Sequence, residues 1–268
     1  MLDGLRFDTA ASQMGYLHHL IEMGKASRFK VKSELPSLSR PLYEVLLTGT
    51  PVYRNGITTN QTVRLSHEES IFHLTNKHGL KNATASYYWV SELYNSAPFS
   101  KMTDRVQLET DKPIQNGMFY WEDDYPDSHL FSDAHFLLNR YNPDFLYVHS
   151  MNIDDDGHKF TADSKEYRNR AIAADIVLAS VLPKWMEAGY QIIVTADHGM
   201  NDDGQHGGTT TADRDVPLFI VSDKFESGVF EEEIPQLQIA PLACELLGIQ
   251  PSEAMQKMSL PNLKKVSS

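Results

Sequence analysis

The chain has 268 residues with 41% hydrophobic content, enough to bury a full core and too much for a fragment-sized binding module. Thirty-six acidic against 24 basic residues give a formal charge of -12, which argues against affinity for nucleic-acid duplex or an anionic membrane. Small phosphorylated substrates stay open, because bound cations reverse the local sign of the field. The single cysteine, Cys244, excludes an intrachain disulfide, and its apolar surroundings mark it as a small core residue. No segment approaches the roughly 20 apolar residues that span a bilayer. The N-terminus also lacks a basic stretch followed by an apolar one. A cytoplasmic protein is the expectation.

Asp3 has only Met1 and Leu2 before it. Functional groups of an open α/β sheet sit beyond the carboxyl ends of strands, so a metal-ligand Asp is expected to follow an apolar strand. Its absence predicts either a chain that begins downstream of its true start or a sheet completed in another way. Asp8 is placed to cap a helix over about Thr9 to Met23, where Met14, Leu17 and Ile21 recur at helical spacing. Phe29 to Leu35 alternates apolar and polar residues, as a half-exposed strand does. Ser39 then opens a helix with Pro41 in its first turn and Gly49 at its end. A hydroxyl there faces free amides that favour a phosphate oxygen.

Val63 to about Asn142 is less regular and is expected to form an insertion or cap. It contains a helix at His67 to His78, a strand near Ala83 to Val90 and a helix near Ser128 to Tyr141. Phe145 to Ser150 has the pattern of a buried strand, with Asp154 and His158 in a loop past it. A long helix over about Asp163 to Ala188 should kink at Pro183. Gln191 to Ala196 predicts a strand with Asp197 and His198 at its carboxyl end, Val216 to Val221 another, and Ile239 to Leu247 a helix ended by Gly248. A polar tail follows from residue 251. This alternation predicts one α/β domain over residues 1–250, with a mostly parallel central sheet and helices on both faces.

Seven side chains capable of holding metals fall in four short segments: Asp3, Ser39, Asp154 with His158, and Asp197, His198 and His206. Each segment adjoins an expected strand end or helix start. Three carboxylates, three imidazoles and a hydroxyl match what two divalent cations and a metal-activated nucleophile require, which predicts phosphate-ester hydrolysis. Asp155 and Asp156 read as exposed loop charges. His18, His19, His67, His73, His78, His129, His135 and His149 fall outside any motif and are assigned to surface or core.

The segments Leu-Asp-Gly-Leu-Arg, Leu-Thr-Gly-Thr-Pro, Asn-Gly-Ile-Thr-Thr-Asn, Asp-Asp-Asp-Gly-His-Lys, Thr-Ala-Asp-His-Gly-Met and Gln-His-Gly-Gly occur in that order. In this the chain resembles the alkaline phosphatase superfamily, and within it the type I phosphodiesterase and nucleotide pyrophosphatase family, over about Leu2 to Ile249. The resemblance implies that Asp154, His158 and His206 hold one cation, and Asp3, Asp197, His198 and Ser39 the other, with Zn²⁺ favoured over Mn²⁺ or Fe²⁺. It further implies attack by Ser39 on phosphorus and a phosphoserine that is then hydrolysed. Asn60 and the backbone N–H of Arg40 would hold the phosphoryl oxygens.

Two residues depart from the family pattern. Ser39 stands where many relatives carry threonine, and Arg40 where nucleotide-cleaving members carry a base-stacking aromatic residue. Arg40 could clamp a second anionic group, or simply face solvent at the helix start. Tyr87, Tyr88 and Trp89 could line a leaving-group pocket or belong to the core. The expected activity is phosphodiester or pyrophosphate hydrolysis. A phosphomonoesterase, phosphonate hydrolase or phosphosugar mutase on the same scaffold is the alternative, and a non-catalytic binding protein is the rival from another class.

Overall fold

The structure, a computed structural model, describes residues 1–261. Two short helices, α1 (Phe7–Gln13) and α2 (Gly15–Glu22), replace the single helix expected over Thr9 to Met23. The break falls at Met14, whose ψ of 74° leaves the helical region. There the Asp175 carboxylate accepts the N–H groups of Tyr16 and Leu17 at 2.6 and 3.2 Å, satisfying free amides at the start of a new helix. Asp8 accepts the first-turn Thr9 N–H at 2.8 Å, but it lies inside the helix and pairs with Arg6, which holds the N-cap position.

β1 (Ala26–Lys32) starts ahead of the expected strand. α3 (Ser39–Thr48) begins on Ser39 itself, and Gly49, at φ 64°, closes it in the left-handed conformation that glycine adopts at little cost. α4 (Val52–Asn55) follows. Residues 63–142 supply α5 (Ile71–Lys77), β2 (Asn82–Tyr87), α6 (Trp89–Tyr94), β3 (Val106–Gln107), β4 (Asn116–Tyr120) and α7 (Asp127–Tyr141). Beyond them come β5 (Phe145–Val148), α8 (Asn152–Phe160) and α9 (Lys165–Glu187), which continues unbroken through Pro183. β6 (Ile192–Thr195), α10 (Thr211–Arg214), β7 (Asp215–Val221), β8 (Gly228–Pro235) and α11 (Ile239–Leu247) complete the order. The tail anticipated from residue 251 seats Met255 and Leu260 in the interior, and its residues 262–268 lie outside the described ones.

The strands form two four-stranded sheets, ordered β6-β7-β1-β8 and β3-β4-β2-β5. Both are mixed, which corrects the mostly parallel sheet expected from the sequence. β1 with β8, β2 with β4 and β2 with β5 run parallel, whereas β1 with β7, β6 with β7 and β3 with β4 run antiparallel. A parallel neighbour needs a crossover that covers a sheet face. After β6 the chain is spent on the loop bearing Asp197, His198 and His206 and on the one-turn α10, so β7 returns beside β6 in the opposite direction.

Helices cover these sheets as an α/β fold requires. One apolar cluster gathers Leu17, Phe29, Leu178, Leu218 and Phe219, and a second gathers Leu47, Phe72, Leu93, Phe119 and Cys244. Met1 to Asp3 passes between the carboxyl ends of β5 and β6. Leu2 bridges Ser150 in parallel, and its N–H donates to the Thr195 carbonyl at 2.8 Å. The elements that carry the chemistry therefore meet where β1, β5 and β6 end.

Candidate metal centre and nucleophile

Asp3, Asp154 and Asp197 are all buried and converge from three segments. Close approach is possible because residue 4 is glycine at φ 70°: a Cβ there would lie 2.8 Å from Asp154 Cα. Asp154 and His158 are on α8, not in the expected loop, and their spacing of four places them on one helix face. His158 Nε2 lies 3.3 Å from Asp154 Oδ2. The ligand atoms of Asp3, Asp197 and His198 lie within 4.8 Å of one another, as do those of Asp154, His198 and His206. His198 thus belongs to both groups, and its ring stacks on that of His206 with centroids 3.6 Å apart.

Each of the three imidazoles is oriented by a backbone carbonyl. Nδ1 of His158 bonds Gly204 O, Nδ1 of His198 bonds Gly199 O, and Nδ1 of His206 bonds Ser37 O, each at 2.8 Å. A carbonyl can only accept, so Nδ1 carries a proton in each ring; Nε2 of His198 and His206 then presents a lone pair to the centre, and Nε2 of His158 does so once its second proton is lost, as in metal-binding histidines. Three carboxylate oxygens there, Asp3 Oδ1, Asp154 Oδ1 and Asp197 Oδ2, are buried with no hydrogen-bond partner. Uncompensated oxygens of this kind are costly. The donor set and its unpaired atoms fit divalent cations.

The electrostatics agree. Burial, reinforced by Asp3 and Asp154, pushes the Asp197 carboxyl well above its ordinary range, and burial with Asp3 also raises Asp154. Burial acts upward on Asp3 as well, but the His149 hydrogen bond, the nearby His198 and the Tyr43 hydroxyl outweigh it and hold the group at about 2. Burial lowers His198 and takes His206 down to about 4, keeping both rings neutral and available as ligands. His158, 38% exposed at its side chain, is raised to about 9 by its bond to Asp154. A metal bound there would displace that proton.

Ser39 is buried at the first position of α3, with Oγ 3.0 Å from His198 Nε2. Because Nδ1 of His198 holds the ring proton, the serine hydroxyl donates. Asn60 lies alongside, its Oδ1 accepting the Arg40 backbone N–H at 3.0 Å. The Arg40 guanidinium is neither exposed nor free. It is 2% exposed, pairs with Glu92 at 2.7 Å, donates to Thr62 O at 3.1 Å and lies 4.5 Å from the Trp89 ring. These commitments correct the picture of a side chain facing solvent. Tyr87 ends β2 and Trp89 opens α6, so the aromatic triplet straddles two elements instead of continuing one strand.

Several residues that hold the centre in place carry no motif. The Tyr43 hydroxyl donates to Asp3 Oδ2, and His149 Nε2 bonds the same oxygen at 3.0 Å. Burial raises the Tyr43 pKa well above its usual value, so it stays a donor. Tyr43 follows Ser39 by one helical turn on α3, which is the sequence signal that could have found it. Ser33 Oγ and Gln236 Nε2 both donate to the Asp197 carbonyl, at 2.5 and 2.6 Å. Asp156, expected to be exposed, is buried and pairs with Arg170 at 2.7 Å.

A model of the type I phosphodiesterase / nucleotide pyrophosphatase family matches residues 1–213. GPI ethanolamine phosphate transferase 2 of Candida albicans is 24% identical over 272 residues, covering 92% of this chain and 29% of that protein. The human GPI ethanolamine phosphate transferase 2, catalytic subunit, is 23% identical over 239 residues, covering 84% of this chain and 23% of that protein. The chain thus spans less than a third of these curated relatives. Murine ectonucleotide pyrophosphatase / phosphodiesterase 5 superposes with a TM-score of 0.72 at 12% identity, covering 94% of each chain.

These relatives overturn the cytoplasmic expectation, because the likeness is to an ecto-enzyme and to GPI-directed transferases, not to free cytoplasmic proteins. That expectation rested on finding no leader or span in a chain much shorter than its relatives, and such an absence decides nothing. Among the described residues no helix is long and apolar enough to cross a membrane.

Proposed function

The chain belongs to the type I phosphodiesterase / nucleotide pyrophosphatase family and is a metal-dependent hydrolase of it, and on that premise we propose that it cleaves phosphodiester or pyrophosphate bonds through a phosphoserine on Ser39. The observation that carries this reading is the Ser39 hydroxyl, 3.0 Å from His198 Nε2 at a helix start, beside three unpaired carboxylate oxygens. Asp154, His158 and His206 would hold one cation, and Asp3, Asp197, His198 and Ser39 the other. Nitrogen and carboxylate donors suit Zn²⁺. Bound there, the cations supply Lewis-acid activation of the serine hydroxyl, the leaving oxygen and the incoming water.

The protein's own groups do the rest. Ser39 Oγ bonds to phosphorus as the bond to the leaving oxygen breaks, and water then cleaves the serine ester and restores the hydroxyl. The Asn60 carboxamide N–H and the Arg40 backbone N–H face the phosphoryl oxygens in both steps, once substrate takes the place of Asn60 Oδ1 at Arg40. The Arg40 side chain, paired with Glu92, lies over the Trp89 ring.

Turnover of bis-nitrophenyl phosphate by metal-replete Ser39→Ala and Asn60→Ala enzymes tests this. The serine variant loses turnover and the quenched phosphoserine mass, and the asparagine variant loses roughly 10²–10³ in kcat. Undiminished turnover by Ser39→Ala refutes the nucleophile. A second reading, transfer to an alcohol in place of water, is favoured by the names of the curated relatives. Rates on a monoester, a diester and a phosphonate, with and without an alcohol acceptor, separate these readings from one another.

A further inference from the structure

Residues 33–38 join the end of β1 to Ser39 at the head of α3, so this strap carries the nucleophile. Ser37, wholly buried, meets the loop that bears His206 at two points. Its carbonyl accepts the His206 Nδ1–H at 2.8 Å, and its hydroxyl donates to Gly208 O at 2.9 Å. The two bonds close a ring between residue 37 and residues 206–208. Packing tightens that ring: a Cβ on Gly207, at φ 106°, would lie 3.1 Å from Leu38 Cδ2, and one on Gly208 would lie 2.7 Å from Asp213 Oδ2. The loop is wedged between the nucleophile's own strap and Asp213, with glycine at both points of closest approach.

This loop also reaches a second imidazole. Gly204 O accepts the His158 Nδ1–H at 2.8 Å, and Asn201 Oδ1 holds the turn there by accepting the Asp203 and Gln205 N–H groups, each at 3.0 Å. Two of the three side chains assigned to the Asp154 cation therefore depend on how one loop is seated. The other ligand group is anchored separately, because Ser33 Oγ and Gln236 Nε2 both donate to the Asp197 carbonyl. Given the two-cation reading, we propose that Ser37 is a positioning residue for the cation of Asp154, His158 and His206 alone, and that it registers that cation against the nucleophile two residues further on. The hydroxyl touches no ligand atom. It acts by fixing the loop, so that His206 Nε2 stands 3.8 Å from Asp154 Oδ1. Without it His206 keeps a single bond to the strap and the loop can pivot on that bond, so more freedom is lost when a cation binds.

Chelator competition with Zn²⁺ tests this by resolving two dissociation constants. The wild type binds two equivalents, and His206→Ala shows which constant belongs to this cation. Ser37→Ala weakens that constant about 10–100-fold and leaves the other within about twofold. In a His206→Ala background the same substitution has a smaller effect, since one of the groups it positions is gone. Ser37→Thr, which keeps the hydroxyl, restores binding. Ser33→Ala removes a hydroxyl from the same strap but changes neither constant by more than about twofold, because Gln236 still donates to the Asp197 carbonyl. Ser37→Gly deletes the same hydroxyl and serves if the alanine variant does not fold. A wild type that binds fewer than two equivalents refutes the two-cation reading, and the role of Ser37 falls with it. Two wild-type equivalents whose constants are unchanged in Ser37→Ala, or weakened alike, overturn the role of Ser37 and leave that reading standing.

Discussion

Glu44 lies on the helix that starts with Ser39, and burial raises its carboxyl from 4.5 to about 7. It accepts from the Ser66 hydroxyl and, at 2.7 Å, from the Tyr94 hydroxyl, tying α3 to the segment after Asn60 and to α6. Its folded pKa is the higher one, so the folded chain keeps this proton after the unfolded chain has released it. The resulting stabilisation is complete below about pH 4.5, shrinks as pH rises toward 7 and is gone above that. At 1.36 kcal/mol per pH unit the window amounts to about 3 kcal/mol. Urea unfolding of the wild type and Glu44→Gln, run from pH 4.5 to 8 with metal present, isolates this group from other titrations. The glutamine side chain loses one acceptor, a constant offset, but cannot ionise. The difference in unfolding free energy should move by about 3 kcal/mol in favour of the Glu44→Gln variant across the window. Parallel pH curves for the two proteins would refute the buried, proton-holding state of Glu44.

Two further outcomes follow from the same geometry. Tyr43→Phe and His149→Ala each remove a bond to Asp3 Oδ2, and metal affinity should fall about 10–100-fold in competition with a chelator, while Ser39 remains in place. Arg40→Met leaves Glu92 buried without its partner and should cost about 3–5 kcal/mol in urea unfolding, whereas Arg40→Met with Glu92→Leu should recover much of it. A double variant no more stable than the single one would contradict the pairing.

The candidate ligands were legible because each belongs to a short segment at a strand end or helix start, where local pattern and chemistry coincide. Ser39 at the head of α3, and Asp197 with His198 just past β6, need no long-range information to be placed. Strand direction was not legible, since apolar runs such as Val216 to Val221 look alike in either orientation and only the connection decides. β8 escaped notice because Glu231, Glu232 and Glu233 on its exposed stretch hide the alternation. Arg40 reads as a surface cation until Glu92 and Trp89, distant in the chain, are brought against it. The role of His149 likewise depends on Asp3 lying beside the end of β5, a contact no local window contains.

Anomalous X-ray diffraction from crystals grown with Zn²⁺ tests the central claim most directly. Two zinc peaks should appear beside Ser39 Oγ, one among Asp154, His158 and His206 and the other among Asp3, Asp197 and His198. A zinc-replete crystal with no peak there, or with zinc bound only elsewhere, would contradict the account.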